Sequence, residues 1–306
     1  MAITVQAQWD TLSGQLAEIA EQAGRFVVAV HGGSRIAATG IFWRPGMVVT
    51  ANHMLRHKGE YELALGDKSS RKAALAGRDP GTDLAVLRIE GANPETAQFG
   101  NAGELRVGQI VMAIGRSTLG DLSASTGIIA RLGDSWQTWR GGRIDSLLRP
   151  DVTLYRGQSG SALVDSRARV LGMNTSALAR SAAITIPNAT IDRVVDEILQ
   201  HGGVFRPYLG LAMQPIGMPP DLKAKLKLQS ETALMVMQVE ASSPSAEVGI
   251  TLGDVIVGIG GTPVKGIEQI QRTLSSSMRG DSIDIAYVRG GQLASAKVKL
   301  ADRPRN

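Results

Sequence analysis

The chain has 306 residues, 36 of them Gly, with 43% hydrophobic and only 4% aromatic residues; this is a turn-rich β composition, at a length that suits two domains better than one. It contains no cysteine, which excludes disulfides, thiolate metal sites and a cysteine nucleophile. The formal charge of +5 comes from scattered Lys and Arg, without a dense basic run or interleaved aromatics, which argues against a nucleic-acid binder.

Trp9, Leu12, Leu16, Ile19 and Ala23 recur at three- and four-residue steps and predict an amphipathic helical segment within 1–24. Glu18 and Glu21 interrupt it and no basic segment precedes it, so it does not read as an export signal. No run of about 18 apolar residues occurs, so no membrane span is expected. The expected compartment is therefore the cytoplasm, or the periplasm if a signal has been trimmed. From Phe26 the texture changes to short β-type runs broken by Gly, Pro and Asp: FVVAV, IFW, MVVTA, DLAVLRI, IVMAIG, TGIIARL, SALV, RVLGMNTS and AAITI. NATIDRVVDEILQH then predicts a helix, with Ile191, Val194, Val195 and Ile198 on one face and Gly202-Gly203 as its stop. The remainder alternates strands (LMVMQVE, DVIVGIG, DSIDIAYVR, LASAKVKL) with two helical stretches, PSAEVGI and IEQIQRTLSSS. Two domains are expected after the helical segment, 25–203 and 204–306.

YRGQSGSALVD sets Ser159 between Gly157 and Gly160. An ordinary turn explains this composition, but so does a nucleophilic hydroxyl whose backbone must approach a substrate closely. A serine nucleophile needs a base and a carboxylate to orient it. Of the four His, His31 ends a strand, His57 sits among charges and His201 closes a helix; His53 follows the core strand MVVTA directly. Asp79 belongs to the turn DPGT, whereas Asp83 heads the apolar strand DLAVLRI and needs a buried partner. The order His53, Asp83, Ser159 is that of a chymotrypsin-like double barrel. It is not that of an α/β-hydrolase, whose G-x-S-x-G elbow is broken here by Ser161.

VVTANHML, DPGTDLAVLRI and YRGQSGSALVDSRARVLGMNTS resemble the triad segments of the HtrA/Deg serine proteases, and AITIPNATI resembles the segment that leads out of their barrels. YLGL followed by SPSAEVGITLGDVIVGIGGTPV resembles a bacterial-type PDZ domain. The fold implied is mainly β: a chymotrypsin-like double β-barrel followed by an α+β PDZ domain. The resemblance implies an endopeptidase of unfolded or damaged protein with no cofactor and no metal, in which Ser159 is the nucleophile, His53 the base and Asp83 its orienter. It further implies an oxyanion hole from the N–H groups of Gly157 and Ser159. Thr153 would floor a small apolar pocket, with Leu154, Ala183 and Ile184 beside it. Tyr208, Leu209, Gly210 and Leu211 would cradle the carboxylate of a peptide C-terminus, and the protein would form a homo-oligomer built on trimers. Gln158 and Ser161 stand where the family usually has Asn and Gly, and Gly260-Gly261 replaces the usual Asn-Gly hairpin turn. The competing reading is a catalytically silent, peptide-binding scaffold of the same fold.

Overall fold

The structure, a computed structural model, describes residues 4–56, 59–91, 95–179, 182–275, 277 and 280–302. His57 and Ser276, which enter the sequence expectations, lie outside the described residues. The chain divides into two compact units, 1–204 and 205–306.

The first unit opens with α1 (Thr4–Gly24). Its C-terminal half packs Leu16, Ile19, Ala20 and Ala23 on the core, while Trp9 is 63% exposed, so the apolar face is covered along only part of its length. Six strands then close an antiparallel barrel: β1 (Val27–His31), β2 (Ala38–Arg44), β3 (Met47–Ala51), β4 (Glu60–Ala64), β5 (Ser70–Asp79) and β6 (Leu84–Ile89). β4 and β5 are not evident in the apolar pattern because Glu60, Glu62, Arg71 and Lys72 break it. β4 nonetheless turns Tyr61 and Leu63 inward at alternate positions, as a half-buried strand must.

β7 (Ile110–Arg116), β8 (Leu122–Gly133), a two-strand ribbon of β9 (Trp136–Gln137) and β10 (Arg143–Ile144), β11 (Leu147–Asp151), β12 (Ala162–Val164), β13 (Val170–Thr175) and β14 (Ile184–Pro187) follow. All but the ribbon form a second closed barrel in the order β11-β14-β13-β12-β7-β8. Closure removes free sheet edges; one core cluster joins residues of both barrels and of the helix that follows, and a second, of Val111, Ile129, Leu148, Leu163 and Leu171, is built from second-barrel strands alone. α2 (Asn188–His201) ends at Gly202 in the left-handed conformation and buries Ile191, Val194, Val195 and Ile198.

In the second unit, β15 (Pro207–Tyr208) pairs with the terminal β22 (Ala301–Asp302). The main sheet runs β16 (Leu211–Gly217), β17 (Thr232–Val239), β18 (Val255–Ile259), β20 (Ser282–Arg289) and β21 (Gln292–Lys299), with β19 (Thr262–Pro263) hairpinned onto β18. Three helices accompany it: α3 (Pro220–Leu226), α4 (Pro244–Glu247) and α5 (Ile267–Ser275). α4 is one turn, shorter than PSAEVGI suggests, because Gly249 takes a positive φ and ends it. β16 lies at a sheet edge, and α5 contributes Ile267, Ile270 and Leu274 to the same core as Leu209, Leu211 and Met213.

Candidate active site

β3 ends in a single 3-10 turn, Asn52–Met54, which carries His53 to the surface of the core. Asp83 stands one residue before β6, at φ 61°, a left-handed conformation that Asp tolerates better than most residues. Its backbone carbonyl accepts the Asn52 N–H at 3.0 Å, tying the two loops together. Its carboxylate is 2% exposed and points at the histidine from below. Oδ1 accepts the His53 backbone N–H at 2.9 Å, and Oδ2 lies 2.8 Å from His53 Nδ1. Oδ2 also accepts the Thr175 hydroxyl at 2.6 Å. A buried carboxylate is tolerated only when its lone pairs are used, and here three donors converge on it. The arrangement assigns the Nδ1 proton to the Asp83 side, leaving Nε2 as the acceptor.

Ser159 lies on the loop between β11 and β12, and the first barrel grips that loop. Thr39 of β2 donates its N–H to the Ser159 carbonyl at 3.1 Å and its hydroxyl to the Gly157 carbonyl at 3.0 Å. The Thr39 hydroxyl in turn accepts the Arg116 N–H at 3.2 Å. The Arg116 guanidinium is buried and donates to the carbonyls of Gly24, Val27 and Gly120. That burial pushes its pKa down, against the pull of Asp121 and Asp67.

Gly157 and Gly160 have φ of 91° and 94°; a Cβ at 157 would stand 2.8 Å from the Ala37 carbonyl oxygen, and one at 160 would collide with that of Thr39. The loop therefore needs glycine at both places. Among the described residues, the N–H groups of Gly157 and Ser159 donate to no protein group. Gln158 is buried and holds the loop through Oε1, which accepts the Tyr155 N–H at 3.0 Å, and Nε2, which donates to Ser123 at 2.9 Å. Ser161 needs no left-handed backbone, and its hydroxyl accepts from Asn174 at 3.1 Å inside the core.

His53 and Asp83 are thus joined directly. The Ser159 hydroxyl has a different partner, Ser176, at 3.0 Å between the two oxygens, and no hydrogen bond links it to His53. A cavity of about 580 Å³ is lined by Ser176, Val152, Leu154, Ala179, Ala182 and Ala183 together with the charged Arg131, Arg149 and Asp151. Of the four expected pocket residues, Leu154 and Ala183 reach it. Thr153 and Ile184 do not: alternation along the extended chain turns Thr153 outward between Val152 and Leu154, and Ile184 is buried in β14. Among the described residues no His, Asp or Glu cluster could hold a metal.

In the second unit, Gly210 has φ 77° and packs so closely on Ser243 that a Cβ would collide. Leu209 and Gly210 present their carbonyls to the N–H groups of Ser245 (3.1 Å) and Glu240 (2.9 Å), while Tyr208 donates its hydroxyl to Glu240. The N–H groups of Leu209 and Gly210 have no partner among the described residues.

A model of the trypsin-like peptidase domain matches residues 38–173, and a PDZ-domain model matches 207–300. The chain is 32% identical over 270 residues to a "Serine protease Do-like HtrA" of Lactobacillus helveticus, covering 83% of this chain and 65% of that protein. The chain carries the trypsin-like peptidase and PDZ domains of the HtrA/Deg serine proteases, which it resembles. A "Probable periplasmic serine endoprotease DegP-like" of Bartonella henselae is 30% identical, with 85% of this chain and 52% of that protein covered. The HtrA/Deg-type chain thus spans about half to two thirds of the length of these relatives. The HtrA-type protease AlgW solved with a decapeptide (TM-score 0.74, 24% identity, 95% and 99% of the two chains) and the serine endoprotease from Yersinia pestis (0.73, 24%, 94% and 98%) share its fold. No described helix is long and apolar enough to cross a membrane.

Sequence reasoning singles out the histidine, the carboxylate and the serine, but not Thr39, Thr175, Ser176 or Arg116. Thr175 had a signal: a polar residue inside the apolar run RVLGMNTS needs a partner wherever that run is buried.

Proposed function

We propose that the protein is a serine endopeptidase of unfolded or damaged proteins, with His53, Asp83 and Ser159 as its triad and its PDZ domain regulating activity by binding peptide C-termini. The observation that carries this reading is the buried Asp83 carboxylate, which accepts both the backbone N–H and the Nδ1 of His53. Neutral His53 takes the Ser159 proton on Nε2 as Oγ bonds to the scissile carbonyl carbon. The carbonyl's electron pair moves to its oxygen, which the unused N–H groups of Gly157 and Ser159 stabilise. The imidazolium, held by Asp83, passes its proton to the leaving amine as the C–N bond breaks. Water then attacks the acyl ester with His53 again as base, releasing the acid and restoring Ser159. Leu154, Ala179, Ala182 and Ala183 give the cavity an apolar wall that suits a small aliphatic side chain, and β16 with α5 offers an edge to which a peptide adds as a strand.

The family likeness supports a homo-oligomer built on trimers and, through the Bartonella relative's name, a periplasmic location. The silent-scaffold reading rests on the Ser159 hydroxyl facing Ser176. A fluorophosphonate probe separates the two readings: it should label the wild type and not Ser159→Ala, and the variant should leave an unfolded substrate intact. Digestion by Ser159→Ala at the wild-type rate would remove Ser159 as nucleophile.

A further inference from the structure

We propose that Ser176 is a positioning residue: it holds the nucleophile in a resting orientation away from the base and releases it when a substrate side chain fills the adjoining cavity. This inference rests on the triad reading above. Two contacts from Ser176 meet the Ser159 hydroxyl: its own hydroxyl at 3.0 Å, and its backbone N–H, which donates to Ser159 Oγ at 3.4 Å. Whichever hydroxyl donates, Ser159 Oγ sits on Ser176 and makes no hydrogen bond to His53.

The place of Ser176 in the chain explains how it comes to lie there. β13 pairs with β14 up to Thr175 opposite Ile184, so the Ser176 N–H falls outside that ladder and is free to meet the nucleophile. Alternation sends Thr175 inward to Asp83 and Ser176 outward to the cleft. One dipeptide therefore steadies the orienting carboxylate and holds the serine. Ser176 is exposed, and it is also the cavity-lining residue that touches Ser159. A side chain entering between Leu154 and Ala183 shares the cavity with Ser176, and contact between the two favours the released state. That differential contact is what a population shift requires.

A hydroxyl–hydroxyl hydrogen bond of ordinary net strength biases the two serine orientations by roughly two- to tenfold. The test uses the full chain and the second-order rate of labelling by a small fluorophosphonate that does not fill the cavity. Ser176→Ala should label two- to tenfold faster than wild type, and Ser176→Thr, which keeps the hydroxyl, should label near the wild-type rate. The pH midpoint of labelling should be the same in all three, because the His53–Asp83 pair is untouched. With a peptide substrate carrying an aliphatic residue for the cavity, the gain of Ser176→Ala in kcat/KM should be smaller than its gain in labelling. Labelling of Ser176→Ala at or below the wild-type rate would overturn the proposal, as would a threonine variant as fast as the alanine one. If wild type and Ser176→Ala both show no labelling that depends on Ser159, the triad reading itself falls, and the proposal with it.

Discussion

Asp83→Asn changes one atom and should disable the base through geometry alone. The His53 backbone N–H, 2.9 Å from Oδ1, can only donate, so the amide oxygen of Asn must remain at that position. The amide NH₂ then occupies the Oδ2 position, 2.8 Å from His53 Nδ1 and 2.6 Å from the Thr175 hydroxyl. Thr175 can adapt by rotating its proton and accepting. His53 adapts only by giving up the Nδ1 proton, which places the remaining proton on Nε2 and leaves nothing to receive the one from Ser159. The backbone should tolerate the exchange, since Asn is as much at ease at φ 61° as Asp. In the serine-protease template this change of tautomer lowers kcat about 10⁴-fold, or about 5.4 kcal/mol on the barrier. The assay is kcat with a quenched-fluorescent unfolded substrate, alongside a thermal melt to show that the fold survives. A folded variant that loses less than tenfold in kcat would refute the claim that Asp83 sets the tautomer of His53.

Gly157→Ala should force a Cβ toward the Ala37 carbonyl oxygen at a φ of 91°, turning one oxyanion donor aside; turnover should fall about 10²–10³-fold in steady-state kinetics while the protein stays folded. For the PDZ domain, titrating the full chain carrying Ser159→Ala with paired free-acid and amide peptides should show binding weaker by about tenfold or more for the amide; equal affinities would remove the role of Leu209 and Gly210 in carboxylate binding. Asp254 is 1% exposed and accepts both the Nε and Nη2 of Arg289 at 2.7 Å; burial alone would raise its pKa, but the Arg289 and Thr251 hydrogen bonds outweigh that and hold it below the ordinary value. A depressed carboxyl pKa stabilises the fold above the unfolded value of about 3.9 and loses that contribution as pH falls through the folded one. Arg289→Ala should therefore lower the melting temperature at pH 7, with the deficit shrinking below about pH 4; a deficit that is constant with pH would refute the pairing.

Much of this protein can be read along the chain because short, alternating apolar runs bounded by Gly, Pro and Asp encode strands locally. The nine runs of the first unit fall on β1, β2, β3, β6, β7, β8, β12, β13 and β14, and the order His53, Asp83, Ser159 suffices to separate the double barrel from the other serine-hydrolase folds. β4 and β5 escaped because closing a barrel, not their own composition, makes charged segments into strands. Which of two chain neighbours lines the cavity is not legible in the sequence, since Thr153 and Leu154 face opposite ways in space. The choice of hydroxyl, imidazole and carboxylate to propose as the triad is legible along the chain, because each is a property of one side chain in its local context. Which donors meet them is set by long-range packing. Thr39 reaches the Ser159 loop across 120 positions and Thr175 reaches Asp83 across 92, because two barrels packed against each other bring together segments that no local pattern connects.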